Sequence, residues 1–190
     1  MPAIYAKTDR LVLRKLEKSE LPRFVECLNV WNIARWLVVV PFPYTMNDAE
    51  DYFADMEQAD KIGEPQFYGI SLKSDNLLIG GVGLHIPRGT TRIEGDLEIG
   101  YWLSADFWGQ GIMTEAARKV AAIGFARPAT RALVSTTDVK NMPSQNVLQK
   151  IGMRNLGIML RDYSALRGDD KVVKWQMTRK EWESVRAHQH

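Results

Sequence analysis

The stretch from Asp96 to Ala126 restricts the fold more than any other part of the chain. Leu97, Ile99, Tyr101 and Leu103 alternate and predict a strand with one apolar face. Trp108-Gly109-Gln110-Gly111 is a glycine-bearing turn. Met113, Ala116, Ala117, Val120, Ala121 and Gly124 then recur at helical spacing and predict an amphipathic helix. A strand that passes through a glycine turn into a helix offers the unpaired N–H groups and partial positive charge of the first helical turn to whatever lies above it. Glycines let such a backbone approach a pyrophosphate closely. The turn lacks a Gly-Lys-Ser/Thr ending and a G-x-G-x-x-G pattern, so neither a nucleoside triphosphatase nor a dinucleotide fold is indicated. On local evidence alone, an anion cradle and an ordinary tight turn fit equally well.

The residues themselves are more specific. Glu98-Ile99-Gly100-Tyr101-Trp102-Leu103, followed by Phe107-Trp108-Gly109-Gln110-Gly111-Ile112-Met113-Thr114-Glu115-Ala116, resembles the coenzyme A-binding core of the GNAT N-acetyltransferases. Within that superfamily it is most similar to the RimJ/RimL branch, which acetylates protein N-termini. In the pattern Arg/Gln-x-x-Gly-x-Gly/Ala, Trp108 stands first, Gly111 fourth and Met113 sixth, where a small residue is usual. A second stretch, Asn141-x-x-Ser144-x-x-Val147-Leu148-x-Lys150-Ile151-Gly152-Met153, resembles the family motif beside the pantetheine arm. Thr8-Asp9-Arg10-Leu11-Val12-Leu13-Arg14 matches the opening Thr-x-Arg-Leu-x-Leu-Arg of the branch. The resemblance covers nearly the whole chain. It implies acetyl-coenzyme A as co-substrate and no metal. It also implies a pyrophosphate site on the turn Gly109, Gln110, Gly111, Ile112, Met113 and Thr114, with the rest of the cofactor along Ile99, Tyr101, Leu103, Trp108, Asn141 and Ser144.

Two residues are candidates for catalysis. Many family members carry a tyrosine at the position of Leu148, where it protonates the leaving thiolate. Leucine cannot do this, and the resemblance suggests Ser144 as the nearest substitute, although a first-turn serine behind the N-cap Asn141 also reads as plain helix chemistry. Glu98 alternates onto the face of Gly100 and Trp102. A carboxylate in mid-strand must meet solvent, a cation or a functional cleft, because burying it alone is costly. The resemblance makes it a base acting through water. An α-amino group has a pKa of ~7.8 and a lysine side chain ~10.4, so freeing lysine costs about 3.5 kcal/mol more at neutral pH. A site with one carboxylate and no tyrosine at position 148 fits the easier, N-terminal amine.

The remaining sequence predicts strands over Thr8–Arg14, Phe67–Lys73, Leu77–His85, Arg131–Thr136, Met153–Leu160 and Lys171–Met177. Helices are predicted after a Ser19 cap, over Val30–Leu37, from Asn47 or Asp48, over Asn141–Lys150, and from a Thr178/Glu181 capping box to about His188. Together these give a single α/β (mixed α+β) domain over 1–190, with a mixed sheet of about seven strands and helices on both faces. At 190 residues such a domain can hold a substantial core. A net charge of +2 with no basic run longer than two argues against direct nucleic-acid binding. Met1 to Arg10 lacks the apolar stretch of a signal peptide, and the longest apolar run, Trp36 to Phe42, is too short for a membrane, so a cytoplasmic location is expected. Cys27 reads as a core residue, and His85, His188 and His190 show no metal spacing. Trp31, Trp36, Tyr44 and Tyr52 read mainly as core, with the resemblance placing some of them at an acceptor cleft. The expected partner is a peptide or protein N-terminus, or otherwise a small amine such as a polyamine or antibiotic, and the protein itself is expected to be a monomer or homodimer. A coenzyme A-binding module without catalysis is the alternative from another class.

Overall fold

The structure is a computed structural model that describes residues 2–62, 67–89 and 93–187. Its first half contains β1 (Ile4–Lys7), β2 (Leu11–Arg14), a 3-10 turn over Lys18–Glu20, α1 (Leu21–Leu28), α2 (Trp31–Ala34), α3 (Met46–Ile62), β3 (Phe67–Leu72) and β4 (Leu78–His85). The second half contains β5 (Asp96–Leu103), α4 (Ile112–Ala126), β6 (Ala132–Asp138), α5 (Met142–Lys150), β7 (Arg154–Leu160), β8 (Lys171–Thr178) and α6 (Arg179–Ala187). The eight strands form one sheet in the order β1-β2-β3-β4-β5-β6-β8-β7. Every neighbouring pair is antiparallel except β5 and β6.

The sheet has one strand more than the seven or so that the sequence predicts. Thr8 to Arg10 is not strand but the turn between β1 and β2. The Thr8 N–H donates to the Leu11 carbonyl, and the Leu11 N–H donates back to Thr8 Oγ1, each at 3.0 Å. Helix starts differ in similar ways. Ser19 caps nothing. Glu17 and Glu20 instead form a reciprocal box, in which the Glu17 N–H reaches Glu20 Oε2 at 3.0 Å, and Pro22 falls in the first turn of α1 where its missing N–H does no harm. For α3 the cap is Thr45, whose hydroxyl accepts from the Asp48 N–H while Asp48 accepts from the Thr45 N–H at 2.8 Å. α2 is half the predicted length and gives way to tight i→i+3 turns at Trp36 and Leu37. The Thr178/Glu181 box opens α6 as expected, with the Thr178 N–H on Glu181 Oε2 at 2.7 Å. The predicted extension to His188 lies outside the described residues.

The sheet is covered on both faces. On one, α4 lays Ala116, Ala117, Val120 and Ala121 against Leu97, Ile99 and Leu133, all almost completely buried. These small side chains bring the helix close. At Gly124 an added Cβ would lie 3.1 Å from Leu84 Cδ1. On the other face, α1 and α3 cover β3 to β5 around Phe24, whose ring meets Tyr44, Tyr52, Phe67 and Trp102 at centroid distances of 5.5–5.9 Å. Tyr44 and Tyr52 therefore belong to the core. So does Cys27, which lies 3.3 Å from Ser104 Oγ and whose thiol burial pushes up. The site lies at the junction of β5 and β6, facing the segment that follows α2.

Candidate active site

The site begins where the only parallel pair in the described sheet comes apart. β5 and β6 pair at Asp96–Ala132, Leu97–Leu133 and Glu98–Val134, and there the ladder stops although both strands continue. β5 keeps β4 as partner to its end, at Leu103–Gly80. Beyond Glu98 the first contact across the gap comes from a side chain, with Ser135 Oγ donating to the Ile99 carbonyl at 2.9 Å. The backbone of Ile99 therefore faces β6, and by the period of two so does that of Tyr101 and Leu103. Leu103 has its carbonyl taken by the indole N–H of Trp108 at 2.8 Å. Tyr101 is left with a backbone N–H and C=O that no neighbouring strand uses. Such groups need a partner from a ligand or from water.

The glycine turn follows directly. A short 3-10 turn over Ala105–Phe107 leads into Gly109 and Gly111, both at φ 75°, with Gly111 as the N-cap of α4. Only glycine adopts that conformation freely. A Cβ at Gly109 would meet nothing within 4 Å, and one at Gly111 would meet only Arg10 Nη2 at 3.7 Å. The glycines are thus set by backbone angle, and the space above them is open. Met113, the departure from the small residue usual at its position, is 7% exposed and packs with Ile112 into the core.

The turn is braced from a distance in sequence. Arg10 donates through Nη1 to the Gln110 carbonyl at 2.9 Å and through Nε to Glu115 Oε2 at 2.7 Å; its backbone N–H reaches Glu115 Oε1 at 3.0 Å. Thr8 Oγ1 donates to the same carboxylate. Burial alone would push the Glu115 carboxyl up, but the hydrogen bonds from Thr8 and Arg10 outweigh it and hold it below the usual carboxylate range. The opening Thr-x-Arg and the Thr-Glu-Ala after the turn, read in the sequence as separate motifs, are one hydrogen-bonded unit. Arg10 is a site residue that the sequence reading missed.

Asn141 caps α5, its Oδ1 accepting the Ser144 N–H at 3.2 Å. That places the Ser144 hydroxyl at the fork, 3.0 Å from the hydroxyl of Tyr101, which also donates to the Ser144 carbonyl at 3.0 Å. Burial pushes the Tyr101 phenol well above its ordinary range, with the Ser144 hydrogen bond opposing, so it stays protonated. Leu148 is fully buried in the core. The phenol near Ser144 comes from the strand instead, and the parity of Tyr101 with Ile99 was the signal that could have located it.

Glu98 projects from the opposite face of β5. Its side chain is only 15% exposed, which removes the solvent-facing alternative. The Arg88 N–H approaches its Oε2 at 3.4 Å and the Arg88 guanidinium at 3.7 Å. Burial pushes the Glu98 carboxyl up, and Arg88 only partly offsets this. His85, opposite Glu98 across β4 and β5, is pushed down to about 4 by burial and by Arg88, and is neutral. A cavity of about 440 Å³ runs through the fork, touching Glu98, Tyr101, Ser144, Asn141 and the glycine turn. Its far wall is the strap Trp36-Leu37-Val38-Val39-Val40. Arg167 holds this strap by donating to the Ala34 and Leu37 carbonyls, and the Leu166 N–H donates to Val38 at 2.7 Å. Trp36 thus faces the cavity, whereas Trp31 lies outside it against Phe42. Among the described residues no group of three or more His, Cys, Asp or Glu gathers as a metal site, and no helix is long and apolar enough to cross a membrane. His188 and His190 lie outside the described residues.

The comparisons agree with this geometry. The chain is 26% identical over 161 residues to the uncharacterized N-acetyltransferase p20 of Bacillus licheniformis, covering 85% of this chain and 88% of that one. It is 26% identical over 180 residues to a putative ribosomal N-acetyltransferase, YdaF, of Bacillus subtilis, covering 92% and 94%. In fold it resembles RimL, the ribosomal L7/L12 α-N-protein acetyltransferase solved in complex with coenzyme A, with a TM-score of 0.75 at 20% identity over 92% of this chain and 97% of that one. Residues 10–154, which span the braced turn, the fork and Ser144, match the model of the acetyltransferase (GNAT) domain, and the chain belongs to that family.

Proposed function

We propose that the protein transfers acetyl from acetyl-coenzyme A to the N-terminal α-amine of a protein or peptide. The observation that carries this reading is the interrupted parallel ladder, with Glu98 on one face of the gap and the Ser144–Tyr101 hydroxyl pair on the other. A base and a hydroxyl donor on opposite sides of an open strand edge suit an acyl transfer in which the amine enters from one face and the leaving group departs toward the other. Acetyl-coenzyme A supplies the activated thioester, which the amine attacks directly. Gly109, Gly111 and the first N–H groups of α4 are suited to its pyrophosphate. The backbone N–H of Tyr101 is suited to the carbonyl oxygen on which charge develops. Glu98 in its ionised form takes the proton of the amine directly or through a water.

The charge of the cavity favours a peptide over a polyamine. Its wall carries Arg88, Lys150 and Arg161 against Glu98 and Asp138. A polycation would need several carboxylates spaced along its length, whereas a peptide N-terminus brings one ammonium group, which Glu98 can serve. The relatives named for ribosomal proteins support the same choice. The test is acetyl-coenzyme A turnover with peptides beginning with Ser, Ala or Thr, beside polyamines and aminoglycosides, with mass spectrometry of the products. Acetylation at the peptide α-amine is expected. Modification of lysine side chains or polyamines instead would overturn the acceptor assignment, and binding without turnover of any amine would leave a coenzyme A-binding module.

A further inference from the structure

Tyr101 offers one hydrogen to two neighbours at the same distance. The Ser144 carbonyl and the Ser144 hydroxyl each lie 3.0 Å from its oxygen. A carbonyl can only accept, while two hydroxyls can each donate or accept. Two hydrogen arrangements therefore fit one set of heavy-atom positions. In the first, Tyr101 donates to the carbonyl and Ser144 donates to Tyr101; both hydrogens are used, and Ser144 turns only lone pairs toward the cavity. In the second, Tyr101 donates to Ser144 Oγ, and the hydrogen of Ser144 is free to point into the cavity. The Ser144 carbonyl loses little by this, because its place in the first turn of α5 gives it the N–H of Leu148 as a helical partner.

We propose that Tyr101 is a positioning residue for the leaving thiol, and that its hydroxyl and that of Ser144 form a two-member donor chain. In this chain Tyr101 donates to Ser144 Oγ and the Ser144 hydrogen points toward the departing sulfur, and neither group gives up its proton. The inference rests on the coenzyme A reading above and adds to it a role for Tyr101 and a limit on Ser144. Ser144 has no base to replace a lost proton, and a serine alkoxide or a phenolate in this buried place would be far less stable than a thiolate. The pair thus acts as a hydrogen-bond donor that stabilises negative charge on sulfur, and water protonates the sulfur later. No covalent bond to Ser144 or Tyr101 forms or breaks. The second hydroxyl matters because a donor that itself accepts a hydrogen bond is polarised and donates more strongly. With Leu148 buried, the strand supplies the phenol that the helix does not.

The experiment titrates the thiol of bound coenzyme A by its ultraviolet thiolate absorbance, in the wild type, Tyr101→Phe, Ser144→Ala and the double variant. The wild type should hold the thiol pKa below that of free coenzyme A. Each single substitution should raise it by about one unit, the order expected for one charge-assisted hydrogen bond. The double variant should be no worse than Ser144→Ala, because Tyr101 acts only through Ser144. Ser144→Thr, which keeps the hydroxyl, should restore the wild-type value. In turnover, kcat should fall about 10-fold or more in each single variant while the acetyl-coenzyme A KM stays level. An unchanged thiol pKa in Tyr101→Phe overturns the proposal, as do additive effects in the double variant. If Tyr101→Phe melts early or binds coenzyme A weakly without moving the thiol, Tyr101 is packing and the proposal also fails. The titration needs no acceptor. Failure to bind coenzyme A at all overturns the functional reading and this inference with it, whereas a responsive thiol without peptide turnover overturns the acceptor assignment alone.

Discussion

Glu98 shows how far a single residue can be read before the structure is known. Its parity on β5 put it opposite Tyr101, and the motif put it near the reaction. Neither told whether it met solvent, because that depends on how Arg88, in the connection before β5, lies against it. Its raised pKa has two consequences. In its proposed role as base Glu98 must be ionised, so kcat/KM should fall as pH drops through a value above the ordinary carboxylate range. Replacing Arg88 with Met removes an opposing influence and should move that limb to still higher pH. For stability the sign is reversed. A carboxyl whose folded pKa lies above its unfolded one stabilises the fold only while protonated, and that contribution is lost as pH rises through the folded pKa. Glu98→Gln should therefore lower kcat about 10- to 100-fold while leaving Tm at neutral pH unchanged or higher. A pH–rate profile and thermal melts check both. The contacts Tyr101–Ser144 and Arg10–Glu115 join positions 43 and 105 residues apart, and no spacing rule in a single sequence encodes such pairs.

At the scale of elements, the sequence reads best where the signal is local. The capping box at Thr178, the N-cap at Asn141 and the start of α4 at Gly111 all stand where residue chemistry places them. It reads worst where a distant partner decides. α2 is short because the strap that follows finds its hydrogen bonds in Arg167 and Leu166, which lie near the other end of the chain. Thr8 to Arg10 looked extended because apolar residues follow it, yet its side chains fold back to hold α4. The glycine turn carries its own prediction. Gly111→Asp places a carboxylate at an anion site and a side chain at φ 75°, and should weaken coenzyme A binding about 10-fold or more by calorimetry. Gly111→Ala brings the same backbone strain without the charge and should weaken binding less. Equal affinity of the wild type and Gly111→Asp would put the pyrophosphate elsewhere.

For the molecule as a whole, periodicity identified most of the strands, but their order in the sheet came only with the structure. The mixed α/β class follows from hairpins in the first half and alternating strand and helix in the second. What it does not convey is that two strands start as partners and end apart. β1 to β5 form one antiparallel block and β6 to β8 another; among the described residues they are joined by three parallel residue pairs, by the Ser135 side chain and, at the start of the pair, by Arg131, whose N–H donates to the Gly95 carbonyl and whose guanidinium meets Asp96. The protein is, in effect, two sheets stitched at one end. A bound molecule threaded between the loose ends works as a removable rung, so occupancy should be felt as stiffness across the seam. Hydrogen exchange at the Tyr101 amide should be fast in the free protein and slow by about 10-fold or more with coenzyme A, while the Glu98 amide, already within the β4–β5 ladder, changes little. Equal exchange at Tyr101 in both states would mean that the ligand does not bridge the gap. On the proposed reading, a protein built this way leaves the last hydrogen bonds of its own sheet to be made by its substrate.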